Sequence, residues 1–88
     1  MKRNPHGFKE TLVREILRDK RLENNLRQKD IAEILDSPQQ FVSKYENGER
    51  LLTFAETIKI CKALNFSPEH FLKRYLQSYK EGLKEEAE

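Results

Sequence analysis

Apolar residues recur at helical spacing along most of this chain, and the breaks between them are short. Leu12, Val13, Ile16 and Leu17, continued by the stem of Lys20, share one face and predict a first helix over residues 9–23. Asn24-Asn25 stops it, with Asn25 suited to a left-handed C′ position. Ile31, Ala32 and Leu35, flanked by Ile34, predict a second helix over 28–35, and Asp36 permits a sharp turn after it. Ser37-Pro38-Gln39-Gln40 is a start signal: Ser37 as cap, Pro38 at the first helical position, Gln40 at capping-box spacing. The third helix, 38–46, turns Phe41, Val42 and Tyr45 inward and ends at Asn47-Gly48. A fourth, 53–64, opens at Thr53 and buries Phe54, Ile58, Cys61 and Leu64, with Ile60 alongside; Asn65 is its left-handed cap. A fifth starts at Ser67-Pro68-Glu69-His70, spans 68–80, and carries Phe71, Leu72, Tyr75, Leu76 and Tyr79. Residues 1–8, broken by Asn4-Pro5 and Gly7, read as a flexible arm, and residues 81–88 as a frayed acidic tail.

Composition narrows the class. With 36% hydrophobic and 36% charged residues, 3 Gly and 3 Pro, the chain is expected to be a single small all-α domain. A core of this size is modest, and dimerisation is a natural supplement. The net charge of +2 is mild, but four glutamates lie in residues 81–88, and without that tail the rest of the chain stands at +5. A locally positive face is therefore expected. The single Cys61 excludes an internal disulfide and suits a reducing cytosol; no stretch has the length of a membrane span or the apolar segment of a signal peptide. A soluble cytoplasmic protein is expected.

The chemistry concentrates in Gln28–Arg50, QKDIAEILDSPQQFVSKYENGER, two short amphipathic helices joined by a tight turn. Arg21, Leu26-x-Gln28, Ile31-Ala32, Gln39-Gln40, Val42-Ser43-Lys44, Glu46-Asn47-Gly48-Glu49-Arg50 and Ala63-Leu64 stand in one register without an insertion. In that register the chain, from Leu12 to Leu72, resembles the Cro/C1-type helix-turn-helix domain of phage repressors and bacterial XRE-like regulators. The resemblance implies a compact five-helix bundle of the lambda-repressor-like type, with helices 2 and 3 as the helix-turn-helix. It departs from the family at three turns, where Asn25, Asp36 and Asn65 replace the usual glycines. These residue types enter left-handed backbone regions at a cost of up to about 1 kcal/mol each. At Pro38 many members carry a capping Ser or Thr.

The resemblance also implies roles. Gln39, Gln40, Ser43 and Lys44 match base-facing positions on helix 3. Gln28, Asn47 and Arg50 match phosphate contacts, Gln28 also bracing the recognition helix. Arg21 and Glu46 match an ion pair between helices 1 and 3. Side-chain chemistry agrees: a glutamine amide pairs with adenine N6/N7 and a lysine with guanine O6/N7. Positions 39, 40, 43 and 44 form one stripe. Asn47 and the start of helix 2 offer neutral donors to phosphate. Lys2 and Arg3 read as arm residues without a DNA role. His6 and His70 lack metal-site spacing, Cys61 lies on an apolar face as a core residue, and there is no catalytic triad, P-loop or cofactor fingerprint. A non-enzyme without cofactor, metal or small-molecule ligand is expected.

Helix 5 carries more apolar groups than one core-facing stripe needs. Phe66, Phe71 and Leu72 are expected to close the core, leaving Tyr75, Leu76 and Tyr79 for a dimer surface. A homodimer would read a palindromic double-stranded DNA operator, more naturally as a repressor than as an activator. The alternative from another class is a protein-interaction module that keeps the fold, such as an antitoxin whose partner is a toxin or other regulatory protein.

Overall fold

A computed structural model describes the backbone of residues 3–87 and the side chains of residues 3–82. Among these residues the chain forms five helices and no strand: α1 (Phe8–Glu23), α2 (Gln28–Ile34), α3 (Gln39–Glu46), α4 (Phe54–Ala63) and α5 (Pro68–Ala87). None is long and apolar enough to cross a membrane.

Four successive helices end in the same way. Each has a residue with positive φ just past its C-cap: Asn25 (57°), Asp36 (53°), Gly48 (80°) and Asn65 (54°). The next residue then bonds back to the helix, Leu26 N–H to the Arg21 carbonyl at 3.1 Å, Ser37 to Ala32 at 2.9 Å, Glu49 to Lys44 at 2.8 Å and Phe66 to Cys61 at 2.8 Å. Together with the bonds spanning three residues from Asn25, Asp36, Gly48 and Asn65 to Leu22, Glu33, Tyr45 and Lys62, this is the Schellman arrangement. The three non-glycine residues were expected at these turns, and short polar side chains tolerate the left-handed region. At Gly48 the φ of 80° is the constraint, since the atom nearest a Cβ there, 2.9 Å away, is Cζ at the flexible end of Arg14.

The starts are less uniform. Thr53 caps α4, accepting from Glu56 N–H at 3.1 Å while the Glu56 carboxylate accepts from Thr53 N–H at 2.8 Å. The expectation for α3 needs correction. Pro38 is its N-cap, in extended conformation, instead of its first helical residue, and no side chain caps that end. The Ser37 hydroxyl donates to the Leu35 carbonyl instead. The first turn of α3 thus offers free N–H groups to whatever approaches it.

α2 packs on α3, α1 on α5 and α3, and α4 on α5. Leu17, Ile31, Val42, Tyr45, Ile60, Cys61 and Leu64 are enclosed at the centre, with Phe66 and Phe71 closing one end. Burial raises the Cys61 thiol to about 11, so it stays protonated within the core. Lys20 lays its ammonium 5.2 Å from the Phe66 ring centroid. Two residues expected inside lie outside: Phe54 is 83% exposed and Leu72 53%. As the first residue of α4, Phe54 precedes the turn that meets the core. Leu72 follows the buried Phe71 by one residue, about 100° further round the helix.

The ends of the chain are more structured than the pattern suggested. Arg3 pairs with Glu10 at 2.7 Å and donates to the Leu52 carbonyl at 3.0 Å, and Arg14 donates to the Pro5 carbonyl. The part of the arm from residue 3 onward is therefore tied to the body, while Lys2 lies outside the described residues. α5 continues past residue 80 to Ala87, through a stretch rich in Glu, Lys, Leu and Ala, which are good helix formers. At Gly82 the ring of Phe8 occupies the space a Cβ would need, and the same ring lies 5.8 Å from that of Tyr79.

Candidate nucleic-acid interface

α3 is amphipathic, and its two sides meet different surroundings. Val42 and Tyr45 are buried and Phe41 is half-buried, its ring edge-on to Tyr45 at 5.4 Å. Burial also pushes the Tyr45 hydroxyl well above its usual range, so it stays neutral. On the other side Gln39, Gln40 and Lys44 are exposed and Ser43 half-exposed. The four expected base-facing residues thus share the outward face of α3, with both glutamines in the uncapped first turn. An α-helix presented this way fits the width of a major groove.

The orientation of α3 is fixed from behind. Arg21 on α1 and Glu46 at the end of α3 form a two-bond ion pair, Nε to Oε2 at 2.7 Å and Nη2 to Oε1 at 3.0 Å. Both side chains are nearly enclosed, 9% and 2% exposed. The remaining Arg21 nitrogen donates to the Leu26 carbonyl at 2.7 Å, which ties the pair to the α1–α2 turn. The Gln28 amide, from the first residue of α2, donates to Glu46 Oε1 at 2.9 Å. Three helices therefore converge on one carboxylate, and no buried side-chain polar atom among the described residues is left without a partner. The bond to Glu46 raises the pKa of Arg21 further above its ordinary value, so the guanidinium stays charged.

The other expected phosphate contacts lie at the ends of these helices. Asn47 is exposed at the C-cap of α3, its amide 3.5 Å from the Ser43 hydroxyl. Gln28 keeps a second N–H besides the one given to Glu46. Arg50 is exposed but already engaged. Its Nη1 and Nη2 meet the Glu56 carboxylate at 3.0 and 2.7 Å, and its Cζ lies 4.8 Å from the Phe41 ring centroid. The Arg50 guanidinium, followed by the Thr53 N–H, holds the Glu56 carboxyl down to about 2.

Sequence reasoning missed Glu56 and Arg14. Glu56 had a local signal, the T-x-x-E spacing of a capping box, but its reach to Arg50 depends on how the α3–α4 loop folds back. Arg14 lies under Gly48 by tertiary packing, which local spacing does not reveal.

Comparison with known proteins places this geometry. A helix-turn-helix family profile matches residues 17–71, a span that contains Arg21, α2, α3 and Glu46. No curated protein matches the chain in sequence. Among solved structures, the wild-type restriction-modification controller protein C.Esp1396I is similar at 25% identity, over 82% of this chain and 92% of that one, with a TM-score of 0.77. The same controller protein as a tetramer with its natural 35 base-pair operator is similar at 25% identity, over 82% and 95%, with a TM-score of 0.76. A point mutant of it is similar at 26% identity, over 83% and 92%, with a TM-score of 0.78. With the matched span, the shared fold and the braced outward helix all agreeing, this chain belongs to the helix-turn-helix family of Cro/C1-type DNA-binding transcriptional regulators.

Proposed function

We propose that this protein binds a palindromic operator as a homodimer and represses transcription by occupying it. One observation carries the reading: Gln39, Gln40, Ser43 and Lys44 face outward from a helix that a buried Arg21–Glu46–Gln28 network holds still. Rigid presentation matters because each base contact requires an amide or ammonium to meet a base edge at hydrogen-bond distance. Asn47, Gln28 and Arg50 border that face and supply the phosphate contacts that set its register. The controller protein similar in fold is seen in complex with its own operator, which supports operator binding by this chain.

Arg50→Ala is the test of the phosphate role. Binding to every duplex should weaken alike, and the slope of log K against log salt should become shallower, by less than the about 0.9 of an unopposed contact because Glu56 shares the guanidinium. Fluorescence anisotropy titrations at several salt concentrations read both quantities. A loss confined to one sequence would contradict the assignment.

The dimer surface lies on α5 and the start of α4. Leu76 is 51% exposed, as a contact residue should be, and Leu72 and Phe54 add to it. Tyr75 and Tyr79 border it half-buried, their rings stacked at 6.2 Å. Beside them a groove of about 450 Å³ is lined by Val13, Leu52, Phe54, Ile58, Phe71 and Leu72. Apolar side chains clustered this way on a small domain mark an association surface. A second copy packed isologously on it would set two recognition helices about 34 Å apart, one turn of DNA. Leu76→Asp should give a monomer in sedimentation equilibrium, with binding to the full operator greatly weakened. A variant that stays dimeric would move the interface elsewhere.

A further inference from the structure

Arg50 cannot meet a phosphate without first dealing with Glu56, and that competition has a consequence for sequence discrimination. We propose that Glu56 is a positioning residue for the phosphate grip, its carboxylate standing on Arg50 where phosphate oxygens would stand and thereby holding down affinity for DNA of any sequence. The proposal rests on the reading of Arg50 as a phosphate contact. The geometry is specific. Both Glu56 oxygens engage the two terminal nitrogens of Arg50, at 3.0 and 2.7 Å, the same fork that binds phosphate in a bidentate manner. Glu56 is fixed in place by the Thr53 N–H at 2.8 Å, in the first turn of α4. The Phe41 ring lies on the guanidinium at 4.8 Å, so Arg50 is confined between an aromatic of the recognition helix and a carboxylate of the next helix.

Two effects follow. The pair carries no net charge, so a phosphate approaching Arg50 gains less than it would from a free guanidinium. A phosphate drawn to Arg50 must also displace the Glu56 carboxylate, which repels it at that contact. Both act on every sequence equally, because phosphates are the same everywhere, whereas the contacts of Gln39 and Gln40 are unaffected. Non-specific binding consists almost wholly of phosphate contacts, so trimming one of them raises the share of recognition that rests on bases. Glu56 remains ionised throughout the physiological range, so the competition is permanent.

Glu56→Gln keeps an acceptor for the Thr53 N–H and removes only the charge. With the variant, random-sequence duplex should bind about five- to tenfold more tightly at 0.1 M salt, and the salt slope should steepen by the part of Arg50's about 0.9 that Glu56 withholds in the parent. In an Arg50→Ala background the same substitution should leave the slope unchanged. Thr53→Ala, which breaks the cap and keeps the charge, should lower the melting temperature and leave the slope alone. An unchanged or shallower slope for Glu56→Gln, in protein with native circular dichroism, would overturn the proposal. So would an equal gain with and without Arg50, which would make it a general charge effect. If Arg50→Ala alone left the slope unchanged, the phosphate reading of Arg50 would fall first, and this proposal with it.

Discussion

Glu46→Ala is expected to destabilise the fold by about 3–5 kcal/mol, the usual consequence of removing one partner from a buried ion pair. The loss is large because the substitution strands more than one group. Arg21, whose side chain is 9% exposed in the intact pair, would be left with its Nε and Nη2 unpaired, and the Gln28 amide would lose its acceptor. A buried unpaired guanidinium is costly in a way the intact pair is not. For a domain of this size each kcal/mol lowers the melting temperature by about 4–8 °C, so a drop of well over 10 °C is expected. Glu49→Ala, at an exposed loop position three residues on, should fall within about 0.5 kcal/mol of the parent. Thermal denaturation followed by circular dichroism compares the two directly. Similar melting temperatures would show that the Arg21–Glu46 pair does not fix the bundle.

Gln39→Ala and Gln40→Ala should leave the fold intact and damage recognition. Both side chains are exposed, and neither makes a side-chain hydrogen bond to the body of the protein among the described residues. Their loss should cost about 1–3 kcal/mol on the specific site, fivefold to somewhat over a hundredfold in Kd, because a bidentate contact to a base edge is worth that much. Binding to random duplex should change little. The specificity ratio therefore falls, which sets these variants apart from Arg50→Ala, where specific and non-specific binding weaken together. Parallel titrations against operator and random duplex separate the two cases. Equal losses on both duplexes would remove the glutamines from the base-reading role.

The helices and their turns were legible because they rest on local rules. Asn25, Asp36 and Asn65 sit where the pattern called for left-handed turns, since few non-glycine residues tolerate positive φ. The Arg21–Glu46 pair was legible by resemblance to the family. What local rules left out was the way neighbouring elements compete for the same groups. Pro38 suits a first helical position by its fixed φ, yet here it stands one place earlier as the N-cap. Phe54 was counted as core because it opens an apolar helix, but α4 begins clear of the core and leaves it exposed. Leu72 lost its inward place to the neighbouring Phe71, which fills the end of the bundle. The arm was expected to be loose because of Asn4-Pro5 and Gly7, and no local rule reports that Arg3 meets Glu10 and the Leu52 carbonyl. On α3 all four residues expected to face bases point outward, while Arg50 carries a partner, Glu56, from beyond the loop.

The outward side of α3 was legible in the sequence, whereas a target sequence depends on docking angle, which no local rule supplies. Selection of bound sequences from a random duplex pool by the 88-residue chain decides whether it reads DNA as a symmetric pair. Enrichment of one palindromic motif with half-sites about one helical turn apart is expected. Loss of that enrichment on Gln39→Ala or Gln40→Ala, in folded protein, should follow. A pool that shows no enrichment, or a motif without two-fold symmetry, would contradict a homodimer reading DNA through Gln39, Gln40, Ser43 and Lys44.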